Sequence, residues 1–131
     1  MKKDLDSMIL TRQELHIMKV VWDRGAATVR EVCEVVSRTK ATAYTTVLTL
    51  MGILEDKGAL AHVRTGRAYI YRPLLSRQQA TRNQLRDLLV RYFEGRADKM
   101  IESILENEMT LADQVTLLRK LLELRREHQV A

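Results

Sequence analysis

The sequence predicts a mainly α-helical protein with one small β-hairpin. Three observations predict this fold: capping signals that start helices, two short segments after the third helix of which the second is β-prone, and a wholly helical pattern from Ser76 onward. Only six of the 131 residues are Trp, Phe or Tyr, so the core must be mostly aliphatic, which favours helix packed on helix. Three helices followed by a hairpin, within residues 11–73, are typical of a winged helix-turn-helix.

The first two helices are predicted from their starts. Thr11 is followed three residues later by Glu14, and Thr28 by Glu31. In this arrangement the two side chains of each pair accept hydrogen bonds from free N–H groups at the helix start. The predicted helices span residues 11–24 and 28–37, with apolar stripes of Leu15, Met18 and Trp22 in the first and Val29, Val32, Cys33 and Val36 in the second.

The third helix is predicted over residues 42–57 and ends at Gly58, a residue type that readily adopts the left-handed conformation beyond a helix end. Its apolar stripe should face the core. At about 100° per residue, the opposite side is small and rich in hydroxyl groups. The inward stripe is Val47, Leu50, Met51 and Leu54; the outward side is Thr42, Thr45 and Thr49, with Tyr44 and Thr46 on the flanks.

A β-hairpin is predicted after Gly58, where the helical period stops. Its strands are residues 60–64 and 68–72, joined by Thr65-Gly66-Arg67 and closed by Pro73. Tyr69 and Tyr71 alternate with Ala68 and Ile70 and so share one strand face. We expect this face to pack against the first helix; the alternative is that the tyrosines stack on bases.

The chain from Ser76 onward is predicted to be a three-helix dimerisation region. One helix precedes Gly95, a second follows it, and a third begins at Thr110. About 50 residues in short helices make too small a core to bury their leucines alone, so we expect a second copy to cover them. The residues predicted to dimerise are Leu85, Leu88, Leu89, Tyr92, Ile101, Ile104, Leu105, Leu118, Leu121 and Leu122.

Most of the net charge of +5 lies in the N-terminal part, because residues 1–75 hold 12 Lys and Arg against 8 Asp and Glu, and the remainder holds 10 against 9. This excess suits a phosphate-rich partner. The predicted domains are therefore a winged-helix DNA-binding domain over 1–75 and a helical dimerisation domain over 76–131. The lone cysteine and the absence of an apolar run near the membrane-spanning length predict a cytoplasmic protein with no membrane insertion.

The third helix is predicted to enter the major groove, which is about 12 Å wide and admits one α-helix. Threonine offers a hydroxyl group to bases and phosphates and a methyl group to thymine. We expect the hairpin to act as a wing on the phosphate backbone. The predicted groove contacts are Thr42, Tyr44, Thr45, Thr46 and Thr49, and the predicted backbone contacts are Arg38, Lys40, Arg64, Thr65, Gly66 and Arg67.

Plainer interpretations stay open for these features. The threonines could simply fill a solvated helix face, although such faces more often carry Glu, Lys, Gln and Arg. The hairpin could be an ordinary turn. An interaction adaptor that binds a protein through its winged helix is the rival function, and it predicts an apolar patch on the outward side of the third helix.

No enzyme, cofactor or metal site is predicted. His16, His62 and His128 have no metal-ligand spacing, and no phosphate-binding, nucleophile or zinc-protease motif occurs.

Four groups of residues together resemble a known family. They are Leu10-Thr11 with Met18 and Trp22; Ala27-Thr28-Val29-Arg30-Glu31-Val32; Ala43 to Met51 with Leu54 and Lys57-Gly58; and Gly66-Arg67-Ala68-Tyr69 with Tyr71 and Pro73. This combination resembles the penicillinase repressor family of BlaI, MecI and CopY type, over about residues 10–127.

The resemblance implies a homodimer on a dyad-symmetric operator that blocks transcription, often of antibiotic-resistance genes, and a membrane sensor-protease pathway that leads to cleavage of the repressor. It places the recognition-helix and wing roles on the residues predicted above. The chain departs from the family twice. It has no cysteine after Cys33, so the cysteine cluster of the copper-responsive branch is missing. Ile104-Leu105 or its neighbours occupy the region of the family's Asn-Phe cleavage pair, which is absent.

Overall fold

The computed structural model describes residues 4–130 and confirms the predicted fold class. The chain forms two compact units, which meet in sequence between Arg86 and Asp87. The elements in the described residues are α1 (Arg12–Arg24), α2 (Val29–Val36), α3 (Tyr44–Lys57), β1 (Leu60–Thr65), β2 (Ala68–Pro73), α4 (Arg77–Phe93), α5 (Ala97–Asn107) and α6 (Leu111–Val130).

The starts of α1 and α2 are confirmed in detail. The Thr11 hydroxyl accepts the Glu14 N–H at 3.2 Å, and the Glu14 carboxylate accepts the Thr11 N–H at 2.8 Å. Thr28 and Glu31 repeat the pattern at 3.2 and 2.9 Å. Each capping residue stabilises its helix by about 1 kcal/mol, so the positions of these starts are favoured by residues close in the sequence.

The core of the first unit lies between α1, α2, α3 and the base of the hairpin. It is aliphatic, as the composition requires, and the buried face of α1 is broader than the predicted stripe because Ile17, Val20 and Val21 are buried in addition to Met18. The largest fully buried side chains are Met18, Val21, Val32, Val47, Met51, Leu54, Leu60 and Leu75.

The hairpin is antiparallel, with Leu60 opposite Pro73 and Thr65 opposite Ala68. Its two-residue turn begins at Gly66, whose φ of 63° is available to glycine at little cost. A backbone bridge joins β2 to the link between α1 and α2: Tyr71 donates to the Ala27 carbonyl at 2.8 Å and accepts the Ala27 N–H at 2.9 Å. The hairpin is therefore fixed at its base.

The prediction that both hairpin tyrosines pack into the core is correct for Tyr71 and wrong for Tyr69. Tyr71 is 5% exposed, whereas Tyr69 is 46% exposed. The register explains the difference: Tyr71 lies at the bridge to Ala27, and Tyr69 lies two residues nearer the tip. The strand face alternates as expected, but the core ends before it reaches Tyr69.

The first turns of α4 are anchored to the first unit. Asn83 is buried and donates to the carbonyls of Leu5 at 2.8 Å and Met8 at 3.0 Å. The Trp22 indole N–H donates to the Leu75 carbonyl at 2.8 Å, just before α4 begins. The Arg77 guanidinium lies over the Trp22 ring at 5.3 Å from its centroid. The compact unit therefore extends into α4, beyond the predicted boundary after residue 75.

The second unit has no buried side chain among residues 87–129. Its helices have sound local structure: the Thr110 hydroxyl accepts the Asp113 N–H at 3.2 Å at the start of α6, and Gln114 donates to the Leu105 carbonyl of α5 at 3.0 Å. Apolar side chains therefore remain exposed although the helices are formed. No helix in residues 4–130 is long and apolar enough to cross a bilayer.

Candidate nucleic-acid interface

The outward side of α3 carries exposed side chains that can form hydrogen bonds. Tyr44 is 50% exposed, and Thr45, Thr46 and Thr49 are also exposed. The opposite side is locked in the core, because Val47, Met51 and Leu54 are fully buried. The helix thus has one face fixed by packing and one face available to a partner, which is the separation that the sequence predicted.

Thr42 departs from the prediction because it lies before α3 instead of on its outward side. The helix begins at Tyr44 with Ala43 as its N-cap. Ser37 and Cys33 donate to the Thr42 carbonyl at 3.3 and 3.4 Å, and the Thr42 hydroxyl donates to the Lys40 carbonyl at 2.8 Å. These bonds hold Thr42 in the turn between α2 and α3, so its side chain shapes that turn.

Two apolar side chains on α3 were missed. Leu48 is 43% exposed and Ile53 is 41% exposed, on either side of the threonine face. The outward side is therefore mixed rather than purely hydroxyl-bearing. The helical periodicity already contained this signal, since Leu48 lies one turn beyond Thr45 and Tyr44. Apolar groups in such positions suit the thymine methyl group in a major groove.

The start of α3 lies beside a basic groove. Ala43 offers no side-chain cap, whereas α1 and α2 are both capped, so an anion can complete the start of α3. Lys40 is exposed in the turn, and Arg38 precedes it, also exposed. The groove has a volume of about 400 Å³, and no Asp or Glu lines it. Its lining residues are Arg12, Gln13, His16, Ile17, Val36, Lys40, Ala41, Thr42, Ala43, Thr46, Val47 and Leu50.

Arg12 was missed as a basic residue of this region. The sequence places Arg12 in the first turn of α1, just after the cap, but does not show which distant residues lie near it. The groove brings it together with Lys40 from the turn, 28 positions later in the sequence. Residues this far apart are brought together by helix packing, which a local pattern does not reveal.

The hairpin tip presents two arginines in different states. The Arg64 side chain donates to the Gly66 carbonyl at 3.1 Å and lies 5.9 Å from the centroid of the Tyr69 ring. Arg67 is exposed and makes no ion pair with any residue between 4 and 130. Thr65 and Gly66 are exposed beside them. At the tip, Arg64 is therefore held by contacts within the hairpin, whereas Arg67 is exposed.

The orientation of α3 is fixed by an ion pair that the sequence did not reveal. Lys57, in the last turn of α3, donates to the Glu14 carboxylate of α1 at 2.8 Å. Burial raises the pKa of Glu14, but hydrogen bonds from Lys57 and the Thr11 N–H outweigh it, so the pKa lies below its ordinary value. Glu14 therefore stays ionised and ties the end of α3 to the start of α1.

The wing is joined to α3 by a second polar contact. The Nδ1 atom of His62 in β1 lies 2.6 Å from the Oε2 atom of Glu55 in α3. The His62 ring also meets the Tyr69 ring edge to face, with centroids 4.7 Å apart. The contact with Glu55 links the hairpin to α3, and the contact with Tyr69 lies within the hairpin.

The residues predicted to dimerise divide into two groups. None of them is buried, so all are available to a partner chain to some extent. Four further apolar side chains, Val90, Leu111, Val115 and Leu124, are exposed on the same three helices. The exposed group is Leu85, Tyr92, Ile101, Ile104, Leu118, Leu121 and Leu122, and the half-buried group is Leu88, Leu89 and Leu105.

The described residues contain no cluster of three or more His, Cys, Asp or Glu side chains able to hold a metal ion. Three helices, a hairpin and an outward helix face that carries hydroxyl and apolar side chains beside basic residues define a winged-helix DNA-binding protein.

Comparisons with known proteins agree with this class of protein. The profile of the penicillinase repressor family matches residues 10–124, and the chain belongs to this family. It is a family of transcriptional repressors and not of enzymes, so the chain is a DNA-binding transcriptional repressor. The resemblance seen in the sequence is confirmed.

Individual relatives show how far the similarity extends. The penicillinase repressor of Bacillus licheniformis is 29% identical over 110 residues, covering 84% of this chain and 86% of the relative. The transcriptional regulator BlaI of Mycobacterium tuberculosis is 34% identical over 77 residues, covering 58% and 56%. The solution structure of the DNA-binding domain of the repressor BlaI matches with a TM-score of 0.53 and 32% identity, covering 60% of this chain and 93% of that domain. No comparison supports the adaptor.

Proposed function

We propose that two copies of this chain bind a dyad-symmetric operator and block transcription by occupying the promoter. The observation that carries the proposal is the free outward side of α3, with its opposite side fully buried. Each copy places α3 in a major groove, and the two grooves lie about 34 Å, or a multiple of one turn, apart on one side of the DNA. Family membership supports the repressor function.

Base contacts are assigned to α3. Tyr44, Thr45, Thr46 and Thr49 are exposed at its N-terminal half, the part of a recognition helix that contacts base edges. The Thr49 hydroxyl donates to the Thr45 carbonyl at 2.9 Å in the free protein, and its oxygen can still accept from a base. Thr42 supports the reading surface by holding the turn before it.

Phosphate contacts are assigned to the turn and the wing. Arg38 and Lys40 flank the start of α3, and Arg64 and Arg67 extend from the hairpin with Thr65 and Gly66 between them. Arg12 joins this set because it lines the same groove as Lys40. Such contacts carry no sequence information but supply much of the affinity. Operator binding should therefore weaken steeply as salt rises.

The helices of the second unit are assigned to dimerisation. Ten large apolar side chains between residues 87 and 129 are exposed, and none in this range is buried. Each such side chain contributes about 1.5–3 kcal/mol when it leaves water, so a second copy that covers them gains much more than an isolated chain can. The predicted dimer residues, together with Val90, Leu111, Val115 and Leu124, form this surface.

The regulated genes and the release signal are proposed from the relatives. A relative described as a penicillinase repressor favours antibiotic-resistance or cell-envelope stress genes as targets. A membrane sensor-protease pathway is the proposed partner. The Ile104–Leu105 bond lies inside α5, so cleavage there requires local unfolding of that helix. Limited proteolysis of the dimer, with the cut sites identified by mass spectrometry, measures how readily α5 opens.

The proposal is tested by binding of the purified chain to the DNA upstream of its own gene. We expect a specific complex on that DNA, and a loss of about tenfold or more in the double variant Thr45→Ala, Thr49→Ala, with non-specific binding unchanged. Thr81→Ala is the matched control, because Thr81 makes the same hydroxyl-to-carbonyl bond one turn back, but on α4.

Two outcomes would count against the proposal. Equal affinity of the double variant and the unaltered chain would remove α3 from base recognition. A chain that binds neither its upstream DNA nor sequences selected from a random pool, yet captures a protein through α3, would establish the adaptor instead.

A further inference from the structure

Gly52 occupies the middle of α3, on the side that faces away from the core. At about 100° per residue it lies within about 20° of Thr45 around the helix axis, and it follows Thr49 by one turn. The exposed side chains of Leu48 and Ile53 lie on either side of it. Gly52 thus lies on the same side of α3 as Thr45 and Thr49, at the C-terminal edge of the surface assigned to DNA.

A glycine in this position weakens the helix. Relative to alanine, glycine in a helix interior lowers the helix equilibrium by up to about fivefold, because it loses more backbone freedom on folding. Nature often accepts this cost where a turn needs positive φ or where another element packs closely. Either reason would be visible in the structure.

Neither reason applies to Gly52. Its φ lies outside the left-handed region. Leaving aside its chain neighbours and the backbone of its own helix, no heavy atom of residues 4–130 lies within 4 Å of where a Cβ would be. The other glycines that also have open space, Gly25, Gly66 and Gly95, all have positive φ. Gly52 alone among these four is required by neither the backbone nor the packing.

We infer that Gly52 sets how deeply α3 enters the major groove, because the duplex approaches the helix backbone at this residue. A Cβ here would hold the helix away from the base edges and lengthen the contacts of Thr45 and Thr49. Leu48 and Ile53 then form apolar walls beside the point of approach. This inference rests on the proposed function and adds a positioning residue to it.

The test is a series of substitutions in the full chain: Gly52→Ala, Gly52→Ser and Gly52→Leu. Helix propensity falls in the order Ala, Leu, Ser, whereas side-chain size rises in the order Ala, Ser, Leu. We expect Tm at or above that of the unaltered chain for all three, highest for alanine. We expect operator affinity to follow size instead, with a several-fold loss for alanine and a loss of about tenfold or more for leucine.

Affinity is measured by fluorescence anisotropy on the chain's own upstream DNA, and Tm on the same preparations. Gln78→Leu places a leucine on an exposed position of α4 and controls for the added apolar surface. Affinity unchanged across the series, or affinity that follows helix propensity, would overturn the inference and leave the proposed function intact. Absence of specific binding by the unaltered chain would instead remove the proposed function itself.

Discussion

Replacing Lys57 by methionine should destabilise the first unit strongly, although Lys57 lies at a helix end. Its ammonium group donates to the Glu14 carboxylate at 2.8 Å, and the side chain of Glu14 is only 3% exposed. The substitution keeps the aliphatic stem and leaves a buried carboxylate with the Thr11 N–H as its remaining hydrogen-bond donor. Removing one partner of a buried pair costs about 3–5 kcal/mol.

The expected loss here is smaller, about 2–3 kcal/mol, because the Lys57 side chain is 23% exposed and water can reach the pair from that side. A loss of this size lowers Tm by about 10–15 °C for a unit of this length. Glu14→Gln should cost less, because the amide oxygen can still accept the Thr11 N–H and Lys57 can turn toward water. The double variant should lie near Glu14→Gln, since no unpaired buried charge remains.

The pH dependence has a defined sign. Because the folded-state pKa of Glu14 lies below its ordinary value of 4.5, the pair contributes fully above pH 4.5 and its contribution is lost as pH falls through the folded pKa. The Tm difference between the unaltered chain and Lys57→Met should therefore narrow at low pH. Thermal unfolding followed by circular dichroism, at one protein concentration, measures it. A difference below about 0.5 kcal/mol, or one that is independent of pH down to 3, would refute this account of α3.

Three further predictions concern the wing, the dimer and the N-terminal segment. Arg67→Ala should weaken specific and non-specific DNA binding alike and reduce the slope of log affinity against log salt by about 0.9. Arg126→Ala on α6 is the charge-matched control. An unchanged slope would show that the hairpin tip does not contact phosphate. Leu118→Asp with Leu122→Asp should convert the proposed dimer to a monomer in analytical ultracentrifugation, whereas Lys120→Asp on the same helix should not. Dimers in both variants would exclude this surface. Asn83→Leu should lower the free energy of unfolding by about 2 kcal/mol, because it leaves the Leu5 and Met8 carbonyls without their donor. An unaltered denaturant midpoint would show that water replaces the Asn83 amide group.

Features set by neighbours in the sequence could be predicted, and features set by distant residues could not. The caps at Thr11 and Thr28 depend on residues three positions away, and both are present as expected. The hairpin was predicted because Gly66 marks its turn. Glu14 and Lys57 are 43 positions apart, and Asn83 and Leu5 are 78 apart, so no local pattern reveals their contacts.

In the candidate site, too, features set by the local sequence could be predicted and features set by other parts of the chain could not. Periodicity predicted which side of α3 faces outward, but it placed Thr42 on that side because a helix wheel has no information about where the helix starts. The start is decided by Ser37 and Cys33, whose bonds to Thr42 hold an extended turn. The prediction that Tyr69 packs into the core was wrong for a related reason. Strand alternation shows on which face of the strand a residue lies, but not how far the core extends along the strand.

The lack of any buried side chain between residues 87 and 129 affects how operator occupancy depends on the concentration of the repressor. If burial of these helices comes from a second copy, their folding and the association of subunits are one equilibrium, which depends on the square of the monomer concentration. Dilution then removes structure as well as partners, and opened helices are accessible to proteases. Occupancy of an operator should therefore fall more steeply than the amount of repressor, which makes a modest drop in synthesis an effective signal.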